Sequence, residues 1–398
     1  MIPRKRLDIG WRDLLFGMRR CLSGDRPAEG HAACRESTGD HDEAIFFLSL
    51  RSGFDACLRE ARFPPGSHIL VSAITIPDIL EIIRSHGLVP IPVDLDPLTL
   101  EPDPDSLNSG LTSRTVALLA THLFGARIPM EPLVRFTRMH GLLLFEDCAQ
   151  AYWGDGFTGH PDSDVRMFSF GPIKYNTALG GGLLFVGDPV FRDGIRRLHS
   201  HYPVQSKGWF FMRLAKYGVV LLLNRPGPYT LLCAACRLLG RSHDAVGYRA
   251  TRGFRGLELL GKIRRQPCSA LLDLLSRRLH SSARRPRGCR PEALAFHRSV
   301  PELCYPGQRA DHSYWLFVVR VGNAADLCRR LWDSGLDAHL WPPSLCVVEP
   351  DRNLPGQVPT SAMALGPQLL FLPVYPQVGR VRLAHLSRIV RQQARSHG

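Results

Sequence analysis

Between Asp42 and Val186 short apolar runs alternate with helical patterns, and this alternation restricts the chain more than any other feature. His68–Ser72, Val89–Val93, Thr115–Ala120, Leu142–Phe145 and Leu183–Val186 read as strands. Phe54–Arg62, Ile79–His86 and Met130–His140 read as the helices between them, with Gly87 and Gly141 as stop signals. Strands that alternate with helices build a mostly parallel sheet covered on both faces. Ligands of such sheets bind beyond the C-terminal strand ends. His122, Asp147 and Lys174 all fall near such ends.

Lys174 stands alone between a serine and a glycine cluster, in Ser169-Phe-Gly-Pro-Ile-Lys174 followed by Gly180-Gly181-Gly182. Asp147 directly follows the buried run Leu142–Phe145 and Glu146. An acid at the tip of a buried strand is costly unless a cation pairs with it. A lone lysine and such an acid are what pyridoxal phosphate requires: an amine to hold its aldehyde carbon and a carboxylate to keep its ring nitrogen protonated. Ser169, five residues before the lysine, is placed to donate to a phosphate, and Gln150 to reach the ring. Gly53, Phe54 and Asp55 follow Ser52 at the start of the first helix, a position whose backbone N–H groups bind phosphate or are simply capped. His122 reads either as a structural histidine or as a residue near the substrate.

Composition narrows the setting. The chain has 398 residues, 44% of them apolar, which suits one large domain and a smaller one. The boundary is expected near residue 265, giving domains 1–265 and 266–398. No apolar run reaches the roughly 18 residues of a spanning helix, and the basic start Met1-Ile-Pro-Arg-Lys-Arg is not followed by a signal-peptide pattern. Eleven scattered cysteines fit reduced thiols in a cytoplasmic protein, and Cys233-Ala-Ala-Cys236, without a second pair, reads as packing. Net charge is +14, with arginines gathered at 264–265, 277–278 and 284–290. No nucleic-acid-binding motif accompanies them, so they predict a solvated surface, an anionic membrane or an anionic substrate rather than nucleic acid.

The stretch 204–261 breaks the pattern. Two apolar segments within 209–239 flank Asn224-Arg-Pro-Gly-Pro228 and are punctuated by cations. This reads as an inserted helical hairpin, either interfacial on an anionic membrane or packed at a dimer interface.

The motifs Ile91-Pro-Val-Asp94-Leu-Asp96, Thr121-His122-Leu-Phe-Gly125, Glu146-Asp147-Cys-Ala-Gln150 and Ser169-Phe-Gly-Pro-Ile-Lys174 resemble those of the DegT/DnrJ/EryC1/StrS aminotransferases. The resemblance runs from Ile2 to about Val186 and resumes near residue 262. It implies the fold type I α/β architecture of pyridoxal-phosphate enzymes, with a smaller C-terminal α+β domain. It also implies a homodimer, an amino-acid donor such as glutamate, and a nucleotide-linked keto-sugar acceptor; the apolar hairpin adds a lipid-linked acceptor as the alternative. On the matched positions Lys174 and Asp147 are catalytic, while Gln150 and Ser169 hold the cofactor. Lys174 also sets the chain apart from the minority of the family that carries histidine there and dehydrates sugars.

Four positions depart from the family pattern. The Ser-Gly-Thr phosphate turn is matched to Ser52-Gly53-Phe54, the ring-stacking aromatic to Ile76, and the glutamate before the paired glycines to Gly180. The Asn-Tyr-Arg segment, which reaches the neighbouring subunit's phosphate, is matched to Ile263-Arg264-Arg265, with Arg264 or Arg265 as the borrowed charge. These departures motivate a competing reading, a catalytically degenerate, membrane-associated binding protein.

Overall fold

The computed structural model describes residues 1–24, 42–240, 258–282, 290–305, 312–342, 344–350 and 357–395, with single positions between them at 32, 34, 36, 243 and 246. Helix α1 (Trp11–Leu22) precedes strand β1 (Ala44–Phe47). Then follow α2 (Leu50–Ala61), β2 (His68–Ser72), β3 (Ile74–Thr75), α3 (Pro77–Ser85), β4 (Val89–Val93), α4 (Pro104–Gly110) and β5 (Thr115–Thr121). The run continues through α5 (Glu131–His140), β6 (Leu143–Asp147), β7 (Val165–Ser169), β8 (Gly182–Val186) and α6 (Pro189–Ser200).

Seven strands form the main sheet in the order β1-β8-β7-β6-β5-β2-β4. From β7 to β4 neighbouring strands are parallel; β8 runs antiparallel to both β7 and β1. This direction pattern gathers the ends of β1, β6 and β7 and the first residue of β8 along one edge of the sheet. Asp147, Ser169, Gly182 and the turn after Phe47 therefore converge. The strands are buried along nearly their whole length, as a sheet covered on both faces demands.

The inserted hairpin is helical: α7 (Lys207–Leu223) and α8 (Pro226–Leu238), bent by 93° across Asn224-Arg225. After α9 (Leu259–Ile263) comes α10 (Ser269–Ser282), which packs with α7 on α1. The remainder contains α11 (Arg290–Ser299), β9 (Cys304–Tyr305), β10 (Phe317–Arg320), α12 (Ala324–Asp333), β11 (Cys346–Val347), α13 (Thr360–Leu365), β12 (Leu369–Leu372) and α14 (Arg380–Arg395). Here β12, β10 and β9 make a second, antiparallel sheet over its own apolar core.

Core membership divides the chain differently from a cut near residue 265. Leu271, Leu272, Leu274, Leu275 and Leu279 of α10 belong to the core of the large sheet, while Ile2 packs in the core of the small one. Arg4 is held there by both oxygens of the buried Asp337. Antiparallel pairing of β11 with β3 brings the C-terminal part back to the large sheet beside Ile76. The arginines at 284, 285 and 287 lie outside the described residues.

Candidate active site

A cavity of about 240 Å³ opens where the strand ends converge. Its wall includes Asp147, Gln150, Ser169, Lys174, Gly180 and Ile76. These six come from three separate stretches of sequence, and the fold brings them to one place.

Asp147, the last residue of β6, is 8% exposed. One oxygen accepts the Ala149 N–H at 2.9 Å. Burial pushes its carboxyl upward, opposed by that N–H and by the charge of Lys174. A buried carboxylate in this state is stabilised by any cation placed next to it.

Lys174 lies on the loop after β7, its amine 3.9 Å from the centroid of the Trp315 ring. Trp315 is fixed in turn by its indole N–H, which donates to the Ile173 carbonyl at 2.8 Å. Burial lowers the lysine to about 8; Arg51 adds to the effect and Asp147 opposes it. An amine with that affinity exchanges protons readily near neutral pH.

Gln150 is oriented by its neighbours. Its Oε1 accepts the Phe124 N–H at 2.8 Å, which turns its NH2 group away from that bond. Ser169 and Gly171 border the same wall. Gly182 must be glycine, since a Cβ there would stand 2.4 Å from the Leu50 nitrogen and the Ser49 carbonyl carbon.

The start of α2, and with it the helix N-terminus that faces the cavity, lies three residues earlier than the sequence suggests. Ser49 is the N-cap of α2: its hydroxyl accepts the Ser52 N–H at 3.2 Å. Ser49, Leu50 and Arg51 line the cavity, whereas Gly53, Phe54 and Asp55 do not. A Cβ on Gly53 would meet Leu184 at 2.4 Å, so that glycine serves helix-to-sheet packing. Phe54 is fully buried, edge-on to Phe145 at 5.4 Å. Asp55 receives two hydrogen bonds of 2.9 Å from Arg264 and one of 2.9 Å from His86.

His122 also departs from the substrate-side expectation. Its Nδ1 accepts the Ile128 N–H at 3.1 Å, so its Nε2–H donates to Glu146 at 2.9 Å. The ring is buried, both nitrogens are used, and it is absent from the cavity wall. Burial pushes Glu146 up, but His122, Ser163 and the His160 N–H more than offset this and hold it below the usual range. The pair is a buried polar contact, and the His122 backbone N–H donates to the Asp147 carbonyl at 3.1 Å. Arg265 is exposed and also off the cavity wall.

Sequence reading missed Arg51, Asp78, Trp209, Arg213 and Trp315, all of which line the cavity. Arg51 bonds to Asp78 at the first turn of α3. Trp209 and Arg213 come from the inserted α7. The sequence signal available for them was an aromatic and an arginine four residues apart on one helix face.

A model of the DegT/DnrJ/EryC1/StrS aminotransferase family matches residues 22–218. The chain belongs to this family and is a pyridoxal-phosphate-dependent aminotransferase. It is 28% identical over 336 residues to the erythromycin biosynthesis sensory transduction protein EryC1 of Saccharopolyspora erythraea, covering 81% of this chain and 77% of that protein. It is 32% identical over 180 residues to the dTDP-3-amino-3,4,6-trideoxy-alpha-D-glucose transaminase of Streptomyces venezuelae, covering 40% of this chain and 45% of that one. The crystal structure of the aminotransferase TlmJ from Streptoalloteichus hindustanus has the same fold, with a TM-score of 0.70, 19% identity and coverage of 100% and 99%.

The donor set suits that cofactor. The cavity offers a primary amine at Lys174 and a buried carboxylate at Asp147 for a protonated ring nitrogen. It also holds the N-terminus of α2, where the first N–H groups have no acceptor within the helix.

Proposed function

We propose that this enzyme transfers an amino group from an amino acid, glutamate by expectation, to a keto group on a sugar. The carrying observation is that Lys174 and Asp147, from separate segments, face one cavity at the strand ends. Bound there, pyridoxal phosphate supplies an electron sink for the carbon that gives up or gains the amine. Asp147 keeps a proton on the ring nitrogen by charge. Lys174 would hold the cofactor, and its amine would move the proton at the donor's Cα. Ile76, Trp209 and Trp315 wall the cavity and restrict water around that amine. Gln150 orients the ring through the NH2 group left by its bond to Phe124.

The sugar acceptor is supported by the activities of relatives, among them the dTDP-sugar transaminase named above and an L-glutamine:2-deoxy-scyllo-inosose aminotransferase of Streptomyces kanamyceticus. The test is to incubate cofactor-loaded protein with 15N-labelled glutamate or glutamine and a panel of nucleotide-linked and lipid-linked keto-sugars. Label should appear in a sugar amine with wild type and not with Lys174→Ala. Transfer to simple keto acids alone would refute the sugar assignment.

The same reading makes the enzyme a cytoplasmic homodimer that docks on an anionic membrane through α7 and α8. Met212, Val219, Leu222, Leu223, Leu231 and Leu238 are exposed on these helices. Lys216, Arg225 and Arg237 are exposed among them, and Arg12 and Arg19 on the adjoining α1. Among the described residues no single helix is long and apolar enough to cross a membrane. An apolar face rimmed by cations suits the headgroup boundary of an anionic bilayer, where a lipid-linked acceptor would lie.

A further inference from the structure

Arg213 is a cation in the cavity wall. Its Nε donates to the Leu179 carbonyl, and its guanidinium lies 5.3 Å from the Trp209 ring centroid and 5.9 Å from that of Tyr217. Among the described residues no carboxylate is within ion-pair distance of it. The other cavity cations differ: Arg51 is bonded to Asp78, and Lys174 feels the charge of Asp147. Burial and the nearness of Arg51 both act against the charge on Arg213. A sheltered cation crowded by another cation is costly until an anion joins it.

The geometry says where that anion sits. Leu179 has φ +62°, a left-handed conformation rare for a leucine, held by its N–H to the Thr177 hydroxyl at 2.9 Å. The next glycines lie against the N-terminus of α2. Gly181 donates to the Leu48 carbonyl at 2.8 Å and bridges to Ser49. Arg213 is therefore tied to the backbone that covers the first turn of α2, and Ser169 borders the same wall. A helix N-terminus, a serine hydroxyl and a guanidinium together form an oxyanion cradle.

We propose that Arg213, supplied by the inserted helix of the same chain, binds the phosphate of the cofactor. The proposal rests on the cofactor assignment above. It gives α7 a role inside the site as well as on the surface. It also accounts for a phosphate turn in which Leu50 and Arg51 follow the capping serine.

The test is an equilibrium titration of cofactor-free protein with pyridoxal phosphate and, separately, with pyridoxal, which lacks the phosphate. Wild type, Arg213→Met and Arg213→Lys are compared by absorbance. Arg213→Met should weaken pyridoxal phosphate about tenfold to a hundredfold and leave pyridoxal unchanged; Arg213→Lys should recover part of the loss. Unchanged pyridoxal binding also shows that the variant is folded. Equal losses for both ligands, or no loss for either, overturn the proposal. So does intact cofactor affinity with a raised KM for the amino donor, which would assign Arg213 to the donor's carboxylate. Wild type that takes up neither ligand overturns the cofactor assignment itself, and this proposal with it.

Discussion

The amine of Lys174 lies 3.9 Å from the centre of the Trp315 ring, and Trp315 is itself pinned to the backbone one residue before that lysine. The ring covers one side of the amine and favours its charged form. Burial acts the other way and sets the balance at about 8. In the cofactor-free enzyme Lys174 should therefore react with an amine acylating agent at pH 8 before the other lysines do. Peptide mapping after brief labelling checks this. Modification of Lys174 no faster than of exposed Lys216 would contradict it.

Asp147 should act through charge rather than bulk. Asp147→Asn preserves shape but removes the anion beside the ring nitrogen. The rate should fall at least ~10²-fold, on the order of 3 kcal/mol, with the fold intact by circular dichroism. A near-wild-type rate would mean that another group partners the ring.

Arg264 should stabilise its own subunit through Asp55. Burial pushes the Asp55 carboxyl up, but the hydrogen bonds and charges of Arg264 and His86 overcome this and hold it below the usual carboxylate range. A carboxylate depressed on folding contributes stability above its unfolded pKa and loses it as pH falls through the folded value. Arg264→Ala should therefore cost on the order of 3 kcal/mol near pH 7, somewhat less for the part of Arg264 that solvent reaches, and the deficit should shrink at acid pH. Urea unfolding at pH 7 and pH 3 measures both. A loss independent of pH would place the effect elsewhere.

Flotation with anionic vesicles tests the docking face. Wild type should float at low salt and be released by high salt. Replacing Val219, Leu222 and Leu231 by serine should release it with cofactor binding retained, since all three are exposed. Wild type that stays with the soluble fraction would leave the face to a second copy of the chain.

The legible parts of the sequence were those set by local pattern. The parallel strands announced themselves as apolar runs, Asp147 as an acid at the tip of one of them, and Lys174 as a lone lysine after another. The start of α2 misled because two serines stand three residues apart and each precedes a plausible helix start. Their hydroxyls lie 2.9 Å from one another, but Ser49 caps and Ser52 is already helical. His122 sits at a strand end as expected, yet its partner Glu146 is 24 residues away, beyond any local reading. The leucines of α10 gave no sign of which core they join, because apolar spacing identifies a buried face without naming its neighbour. Arg213 was out of reach for a related reason: only the packing of α7 on α1 and α10 carries it to the cavity.

The most direct test of the account maps the cofactor onto the chain. Loaded protein is reduced with borohydride, digested and sequenced by mass spectrometry. One pyridoxyl group on Lys174, absent from Lys174→Ala, is the result expected. A label on any other lysine, or none on protein that carries out amine transfer, would contradict the central assignment.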